Sequence, residues 1–231
     1  MAKPDFSKLA GKFLVFDGPD GCGKTTQMKL LMEAVQAAGL PVRRLREPGG
    51  TAIGEQIREL LLSTKNTNMD LRCEMLLYMA SRAQLVQEQI RPALAAGEIV
   101  LSDRYASSTL AYQGGGGGLP MEPIAQVAQI AVDGVWPDLT IVFDIDTDHA
   151  MQRLHPLYGK RANPSQAGLF GSESVKDRIE SRDRSYFERV RANYLEQVRR
   201  WPGRYRTVDA AKTVKQVQVQ VLAVIGEYFG G

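Results

Sequence analysis

The chain has 231 residues, of which 44% are hydrophobic and 24% are charged, and its formal net charge at pH 7 is +3. This composition is close to the average for globular proteins, so it excludes a disordered or fibrous chain and favours a single α/β domain over residues 1–231. The basic residues are scattered instead of forming a stripe with interleaved aromatic residues, which argues against a nucleic-acid-binding protein.

The sequence gives little indication of a secretory signal, a membrane-spanning segment or a disulfide framework. Residues 1–11 are charged and lack the apolar core of a secretory signal, so we expect them to form a loosely ordered extension. No uninterrupted apolar run approaches the length of a membrane span. Cys22 and Cys73 lie far apart without a metal-type spacing, which argues against a disulfide framework or a zinc site. We therefore expect a cytoplasmic protein with no membrane contact.

The first half of the chain alternates short apolar runs with amphipathic segments. Residues 12–17 (KFLVFD) predict a buried strand, and residues 25–38 show the 3.6-residue period of a helix. Gly39-Leu40-Pro41 ends that helix. The further predicted elements are a strand over 42–46, a helix over 51–63 and a long helical stretch over about 70–96.

The second half continues this alternation, which predicts an α/β fold with a five-stranded parallel sheet and helices on both faces. Two stretches interrupt it. The five glycines at 114–118 predict neither helix nor strand, and a flexible connector is one interpretation. Residues 157–174, rich in Gly, Ser, Asn and Pro, predict a mobile surface loop of the kind that often forms a lid. The remaining predicted elements are strands over 98–103, 139–145 and 205–208, helices over 121–132 and 175–200, and a closing helix that follows the last strand and extends to about 228.

A phosphate-binding motif, GxxxxGK[ST], lies between the first predicted strand and the first predicted helix. Its glycines let backbone N–H groups surround a phosphate, and the helix N-terminus adds partial positive charge. Lys24 is predicted to contact the β- and γ-phosphates of ATP, and the Thr25 hydroxyl to ligate Mg²⁺. The predicted ATP-binding residues are Gly18, Pro19, Asp20, Gly21, Cys22, Gly23, Lys24, Thr25 and Thr26.

Further polar segments are expected to converge on the same pocket. Arg46-Glu-Pro-Gly-Gly-Thr51 follows the second strand and Asp103-Arg104-Tyr105 follows the third. Tyr112-Gln113 precedes the glycine run, and Tyr78 and Arg82 share one helix face at i, i+4. Because ligands bind at the carboxyl ends of parallel strands, both arginine motifs lie where a phosphate acceptor would bind.

Together these segments resemble those of thymidylate kinases. REPGGT, DRY and AYQGG, the acidic Asp20 within the P-loop and a late Asp177-Arg178-Ile-Glu180 occur in that family's order, from about Phe13 to the C-terminus. The resemblance implies a P-loop NTPase fold with a mobile lid over about 153–177. It also implies transfer of the γ-phosphoryl group of ATP to dTMP, giving dTDP and ADP, with Mg²⁺ as cofactor and a homodimer as the assembly.

The resemblance further implies roles for residues on the acceptor side. Arg46 and Arg104 look like a clamp on the dTMP phosphate, a task that suits bidentate guanidinium groups. Tyr78 resembles the ring that stacks on thymine, Asp20 the group that takes the 3′-hydroxyl, and Tyr112 the ring beneath C2′. The remaining substrate-binding residues implied are Pro48, Arg82, Ser108 and Gln113.

Simpler roles stay open at this point. Arg46 and Glu47 could form a surface ion pair, Tyr78 could pack in the core, and Arg82 could lie on a solvated helix face. Asp103 could cap the next segment, or it could act on Mg²⁺ through water. A kinase for another nucleotide and a nucleotide-dependent switch are the alternative functions, although the chain lacks the NKxD pattern of GTPases.

Phosphoryl transfer also needs positive charge on the moving group. Members of the family that the chain resembles carry this cation either in the P-loop or in the lid, and positions 19–22 hold no basic residue here. The lid is therefore expected to supply it, from Arg153, Lys160, Arg161 or Arg178. The lid is longer than is usual in that family, and Gly117 stands where the family often has an arginine. The predicted catalytic residues are Lys24, Asp103, Arg104, Arg153 and Arg161, whereas His149 and His155 are expected on the solvated surface.

Overall fold

A five-stranded parallel sheet forms the centre of the computed structural model, which describes residues 4–160 and 177–230. The strand order is β2-β3-β1-β4-β5. The strands are β1 (Phe13–Asp17), β2 (Val42–Arg46), β3 (Ile99–Asp103), β4 (Leu139–Asp144) and β5 (Tyr205–Asp209). The predicted parallel sheet is confirmed, and each strand begins and ends within one residue of its predicted bounds.

The helices of the described residues follow the strands in alternation. They are α1 (Lys24–Ala37), α2 (Ala52–Leu62), α3 (Leu71–Leu85), α4 (Arg91–Ala95), α5 (Ala106–Thr109), α6 (Met121–Val132), α7 (Thr147–Lys160), α8 (Arg184–Arg200) and α9 (Val214–Gly230). Two π-helical segments extend this set, π1 (Val86–Ile90) between α3 and α4, and π2 (Leu110–Gly116) after α5. Because α3, π1 and α4 run on without a break, they form the long helical stretch predicted over 70–96.

Two apolar clusters cover the two faces of the sheet. Leu14 and Phe16 of β1 belong to one cluster, which also contains residues of α1 and α9. Phe13 and Val15 belong to the other, together with residues of α3 and α6. Side chains of a strand alternate between faces, so β1 is buried on both sides and reads as a continuous apolar run in the sequence. No helix among the described residues is long and apolar enough to cross a bilayer.

The N-terminal segment is more ordered than the sequence predicts. Phe6 and Leu9 lie in a short 3-10 turn and are buried in the cluster with α1 and α9. The carboxylate of Asp5 accepts a hydrogen bond from the backbone N–H of Ser7 at 3.0 Å and so caps this turn. The expectation of a loose extension is therefore wrong from Phe6 onward, because two apolar side chains anchor the segment. Residues 1–3 lie outside the described part.

The glycine run is helical, contrary to the expectation of a connector. Gly114 to Gly116 form the end of π2, which packs against α8. A Cβ atom on Gly115 would lie 2.5 Å from Cβ of Asn193, and one on Gly116 would lie 2.7 Å from Cε2 of Tyr186. The glycines thus allow two helices to approach closely, and this tertiary packing overrides their poor intrinsic helix propensity.

Two predicted boundaries near the lid also differ from the structure. The helix predicted over 175–200 begins at Arg184, because the Asp183 carboxylate accepts from the backbone N–H of Tyr186 at 2.7 Å and caps it there. Residues 157–160 belong to α7 instead of a loop. The rest of the predicted lid, residues 161–176, lies outside the described residues, and so do Arg161 and the side chains of His155 and Lys160.

Candidate active site

The P-loop connects β1 to α1 and places Lys24 at the carboxyl ends of the strands. Gly23 is the N-cap of α1 with φ +91°, and Gly18 has φ +134°, where a Cβ would lie 2.7 Å from the Phe143 carbonyl oxygen. Both positions therefore require glycine. Lys24 is buried, and its Nζ donates to the carbonyl oxygens of Gly18 at 3.0 Å and Pro19 at 2.9 Å. The loop thus curls around the ammonium group that is predicted to meet the phosphates.

The other P-loop residues differ in exposure. Cys22 is buried with its sulfur 3.6 Å from Nζ of Lys24, and both cysteines of the chain are free thiols. Thr26 is exposed on α1. Gly21 packs on α7, where an added Cβ would lie 2.5 Å from the Ala150 carbonyl oxygen. Any side chain at position 21 would therefore push the P-loop away from α7.

Thr25 and Asp103 meet across the carboxyl ends of neighbouring strands. The Thr25 hydroxyl donates to Oδ2 of Asp103 at 3.2 Å. Asp103 is the last residue of β3, which pairs directly with β1, so the register of the sheet brings the two oxygens together. The alternative that Asp103 caps the following segment finds no support, since no hydrogen bond joins its carboxylate to α5.

Asp17 is a buried carboxylate that the sequence analysis did not identify as functional. It ends β1 and accepts hydrogen bonds from the hydroxyls of Ser107 at 2.5 Å, Ser108 at 2.7 Å and Tyr194 at 2.5 Å. Its distance to Nη1 of Arg104 is 3.5 Å. Asp17 therefore ties together the P-loop, the segment after β3 and α8 beneath the arginine.

Arg104 is held by carboxylate and hydroxyl groups on several elements. Its Nη2 donates to Oδ1 of Asp20 at 2.7 Å and to the hydroxyl of Tyr112 at 3.0 Å. Its Nη1 donates to the Gly18 carbonyl oxygen at 3.1 Å and to the Ser108 hydroxyl at 3.1 Å. Burial alone would lower the pKa of Arg104, but the surrounding acidic groups outweigh burial and raise it. The guanidinium is thus permanently charged.

The backbone of Arg104 is in the left-handed region, with φ +75°. This conformation is uncommon for a residue other than glycine and costs roughly 1 kcal/mol or more. The backbone N–H of Arg104 donates to the Phe16 carbonyl oxygen at 3.0 Å, which holds the turn after β3 against β1. The left-handed turn directs the side chain back over the P-loop.

Asp20 lies between the two cations of the site. Burial would raise the pKa of Asp20, but the charges of Arg104 and Lys24 outweigh this effect and lower the pKa to about 2. The Tyr112 hydroxyl donates to its other oxygen at 3.4 Å, and the guanidinium of Arg104 lies 4.9 Å from the centroid of the Tyr112 ring. Asp20 and Tyr112 therefore stand beside the predicted phosphate clamp.

Arg46 is oriented by a carboxylate of α2. Its Nη2 donates to Glu55 at 2.9 and 3.0 Å, and its Nη1 donates to the Pro48 carbonyl oxygen at 3.0 Å. Arg58 donates to the same Pro48 oxygen at 3.1 Å. Burial and the nearby charge of Arg46 lower the pKa of Arg58. Arg58 is thus a second cation of this region, which sequence reasoning missed because it belongs to no motif.

Arg82 and Glu47 form a buried ion pair. Nη2 of Arg82 lies 2.5 Å from Oε2 of Glu47, and its Nη1 donates to the Thr109 hydroxyl at 3.1 Å. The alternatives of a surface pair between Arg46 and Glu47 and of a solvated position for Arg82 are both wrong. Both alternatives considered only residues close in sequence, whereas the fold packs α3 against the segment after β2 and so pairs Arg82 with Glu47. A contact of Arg82 with a base stays a prediction.

Gln113 and Glu74 meet behind the acceptor side. Glu74 of α3 is fully buried and accepts from Nε2 of Gln113 at 2.8 Å. It also accepts from Arg178 at 2.6 Å and from Arg182 at 3.0 Å. Arg178 additionally donates to the Leu61 carbonyl oxygen at 2.9 Å, so this lid candidate is engaged with the core. Its role as a transferring cation is not supported by these contacts.

Tyr78 is half-buried one helical turn after Glu74. Burial, together with the nearby carboxylates of Glu74 and Asp177, raises the pKa of Tyr78, and Arg104 opposes this effect. The side chain of Tyr78 is therefore a neutral phenol, close enough to Glu74, Asp177 and Arg104 to be influenced by their charges. Stacking of Tyr78 on a base stays a prediction.

The chain matches the family model described as thymidylate kinase over residues 16–221. It is 41% identical over 223 residues to the thymidylate kinase of Caldanaerobacter subterraneus subsp. tengcongensis, covering 96% of this chain and 99% of that protein. It is 43% identical over 219 residues to that of Pelotomaculum thermopropionicum, covering 95% and 94%. The chain belongs to the thymidylate kinase family.

A solved structure supports the same conclusion for the fold. The thymidylate kinase from Ehrlichia chaffeensis superposes with a TM-score of 0.70 at 28% sequence identity, covering 93% of this chain and 97% of that one. The thymidylate kinase resemblance, the P-loop NTPase fold and the kinase activity expected from the motifs are therefore confirmed at the level of the family.

Arg153 is one of the residues predicted to supply the lid cation, but in this structure its guanidinium is hydrogen-bonded to backbone carbonyl groups. Its Nη1 donates to the Ala210 carbonyl oxygen at 2.7 Å and its Nη2 to that of Ala211 at 3.2 Å. It therefore ties α7 to the loop after β5. Gln27 of α1 donates to the Val214 carbonyl oxygen at 2.9 Å and fixes the other end of this loop beside the P-loop helix.

Gly117 has no room for a side chain in this structure. A Cβ at Gly117 would lie 2.6 Å from Cδ2 of Leu71. Arg189 of α8 donates to the carbonyl oxygen of Gly116 at 2.9 and 3.2 Å, so a cation reaches this loop from another helix. His149 is exposed, as expected, and pairs with Asp146.

Proposed function

We propose that this member of the thymidylate kinase family transfers the γ-phosphoryl group of ATP to dTMP, giving dTDP and ADP. One observation carries the proposal: Lys24 and Arg104 both donate to the carbonyl oxygen of Gly18, at 3.0 and 3.1 Å. The cation predicted for the donor and the cation predicted for the acceptor therefore contact the same atom. A nucleotide-binding switch would not need the second cation.

On the donor side, the P-loop N–H groups and Lys24 bind the triphosphate. Backbone N–H groups at the N-terminus of α1 supply partial positive charge, and Lys24 exchanges its carbonyl partners for phosphate oxygens. Catalysis then consists of alignment and of stabilising charge on the transferred group, since phosphoryl transfer requires little covalent work by side chains.

On the acceptor side, Arg104 holds the monophosphate in line with the donor. Two of its contacts, to Asp20 and to the Tyr112 hydroxyl, fix the plane of the guanidinium. When the monophosphate binds, Nη1 would exchange its present partners, the Gly18 carbonyl oxygen and the Ser108 hydroxyl, for phosphate oxygens. Arg46 is the second clamp residue, and Glu55 orients it. Pro48, Tyr78, Arg82, Ser108 and Gln113 complete the proposed acceptor site.

Mg²⁺ is the proposed cofactor, and the residues present fit it. Proteins commonly hold Mg²⁺ through one or two side-chain oxygens, with substrate phosphates and waters as the other ligands. Thr25 and Asp103 supply two such oxygens beside Lys24. When bound, the ion would offset the charge that develops on the β- and γ-phosphate oxygens. Thr25 would contact it directly and Asp103 through water.

A homodimer and a cytoplasmic location complete the proposal, with residues 1–231 acting as one kinase domain. Four large apolar side chains are exposed on α2, α3 and α6, and they suit a seam between two copies. These residues are Ile53, Leu60, Leu76 and Ile130. Two free thiols agree with a reducing compartment.

A nucleotide panel tests the function. Purified protein with ATP and Mg²⁺ is assayed for ADP formation with dTMP, dUMP, dCMP, dAMP and dGMP as acceptors, and EDTA-treated samples serve as the metal control. We expect the highest kcat/KM with dTMP. Faster turnover of another monophosphate would replace the substrate, whereas ATP hydrolysis unaffected by any acceptor would favour the switch.

A further inference from the structure

Glu74 is a buried carboxylate on which three elements meet. Its Oε2 accepts from Arg178 at 2.6 Å and from Arg182 at 3.0 Å, whereas its Oε1 accepts from Nε2 of Gln113 at 2.8 Å. The first two contacts come from the segment before α8, and the third comes from π2. In all three contacts an N–H group donates and a carboxylate oxygen of Glu74 accepts.

This contact determines which way the amide of Gln113 faces. If the amide were rotated by 180°, its oxygen would face Oε1 of Glu74 without a proton between them. The carboxylate therefore selects the orientation in which Nε2 points at Glu74 and Oε1 points away from it. Within residues 4–160 and 177–230, no donor bonds to Oε1 of Gln113. Within the described residues, Oε1 of Gln113 is therefore left to accept a hydrogen bond from a ligand.

The amide lies on the acceptor side of the site. Glu74 is one helical turn before Tyr78 on the same face of α3. Gln113 directly follows Tyr112, whose hydroxyl contacts both Arg104 and Asp20. A base placed against Tyr78 while its phosphate is bound to Arg104 would therefore have its edge near the Gln113 amide.

We propose that Glu74 is a positioning residue that sets base selectivity by fixing the orientation of the Gln113 amide. The inference rests on the proposed function. Oε1 of Gln113 would accept the N–H at position 3 of thymine or uracil. Cytosine has an unprotonated nitrogen at that position, so its lone pair would face the lone pairs of Oε1. A site that requires a hydrogen bond discriminates strongly against a base that cannot make it.

The variants E74Q and E74Q/Q113E test the inference. A glutamine at position 74 can donate or accept, so both orientations of the Gln113 amide become possible. We expect E74Q to lower the ratio of kcat/KM for dTMP to that for dCMP by at least about tenfold, mainly through a higher KM for dTMP. In E74Q/Q113E the side chain at 113 again only accepts, so the ratio should return toward the wild-type value.

Arg182→Gln is the matched control, because it removes one partner of Glu74 and leaves the amide contact in place. Its selectivity ratio should stay close to that of the wild type. An unchanged ratio in E74Q would overturn the inference, and so would an equal loss in Arg182→Gln, which would indicate a general loosening of the site. If E74Q proves too unstable to assay, the ratio of the double variant decides alone: recovery supports the inference and loss overturns it.

The same assays separate this inference from the proposed function. A wild-type enzyme that does not prefer dTMP to dCMP would contradict the proposed function itself. A wild-type enzyme with that preference, together with an E74Q variant that retains it, would contradict only the role of Glu74.

Discussion

The Glu47 carboxylate and the Arg82 guanidinium form an ion pair closed to solvent, with an Nη2 to Oε2 distance of 2.5 Å and side-chain exposures of 3% and 1%. Glu47 precedes Pro48 in the segment after β2, and Arg82 lies on α3. The pair therefore joins the acceptor loop to the helix that carries Tyr78. Its buried position makes its removal costly.

At a pH above 7, where Glu47 is ionised, Arg82→Met should destabilise the fold, because it leaves the Glu47 carboxylate buried without a partner. Breaking a buried pair by removing one member typically costs about 3–5 kcal/mol of unfolding free energy. Urea unfolding measures the change. Arg72→Met is the matched control, since the pair of Arg72 with Asp70 is exposed and should contribute less than about 1 kcal/mol. Equal effects of the two substitutions would contradict the assignment.

Glu47 should also make stability depend on pH. Burial raises its pKa from the ordinary 4.5 to about 7, although Arg82 opposes this shift. The folded state then binds more protons than the unfolded state between these values, so the stabilisation is complete below pH 4.5 and is lost as pH rises through about 7. The unfolding free energy of the wild type should fall over this range relative to that of Glu47→Gln. Parallel pH profiles of the two proteins would exclude the shift.

Lys24→Ala and Arg104→Ala should each lower kcat/KM by about 10²-fold or more, but in different ways. Loss of Lys24 removes charge from the donor phosphates, and loss of Arg104 removes the clamp that aligns the acceptor. Steady-state kinetics with varied ATP and varied dTMP measure both effects. Lys29→Ala, on the exposed face of α1, is the control. Unchanged dTMP KM and kcat in Arg104→Ala would refute the clamp.

Gly115→Ala should destabilise the protein by about 1–3 kcal/mol, the usual cost of overpacking. The new methyl carbon would lie 2.5 Å from Cβ of Asn193, so π2 and α8 must separate. Since π2 carries Tyr112 and Gln113, the KM for dTMP should rise as well. Gly203→Ala meets no atom within 4 Å and should behave like the wild type in thermal unfolding and in activity. A neutral Gly115→Ala variant would show that the close approach is unnecessary.

The variant Arg153→Ala tests whether Arg153 stabilises the transferred phosphoryl group or holds the loop after β5 in place. As a transferring cation, Arg153 would affect kcat more than KM, which is the expectation from the sequence. Its hydrogen bonds to Ala210 and Ala211 instead indicate that it holds the loop after β5 beside the P-loop helix. We therefore expect a higher KM for ATP with little change in kcat. A large fall in kcat at saturating ATP would restore the catalytic assignment.

The sequence predicted those features that depend on neighbouring residues. The P-loop, the strand that precedes it and the arginine motifs are local patterns, since their chemistry requires fixed spacing at the end of a strand. Asp17 and Tyr194 escaped prediction because their contact joins residues 177 positions apart. Glu74 escaped for the same reason, since its buried charge is evident only when π2 and the segment before α8 meet it.

The glycine run shows a second limit of prediction. Propensity alone excludes a helix through Gly114 to Gly116, and that argument holds for an isolated segment. It fails here because α8 packs so closely that any larger residue would collide with Asn193 or Tyr186. A pattern that is typical of a connector can thus also mark a close helix contact, and only the tertiary structure distinguishes the two.

The left-handed backbone of Arg104 has an evolutionary implication. Glycine or asparagine would adopt φ +75° with less conformational cost, so the backbone does not favour arginine at this position. Arginine is favoured there only by the contacts of its side chain, which include Asp17 and Asp20. A paralogue released from the need to bind a monophosphate would lose nothing in backbone energy by exchanging this arginine for glycine. Glycine at this position of the DRY motif would therefore be tolerated by the backbone only where the pairing of the guanidinium with Asp17 and Asp20 is no longer required.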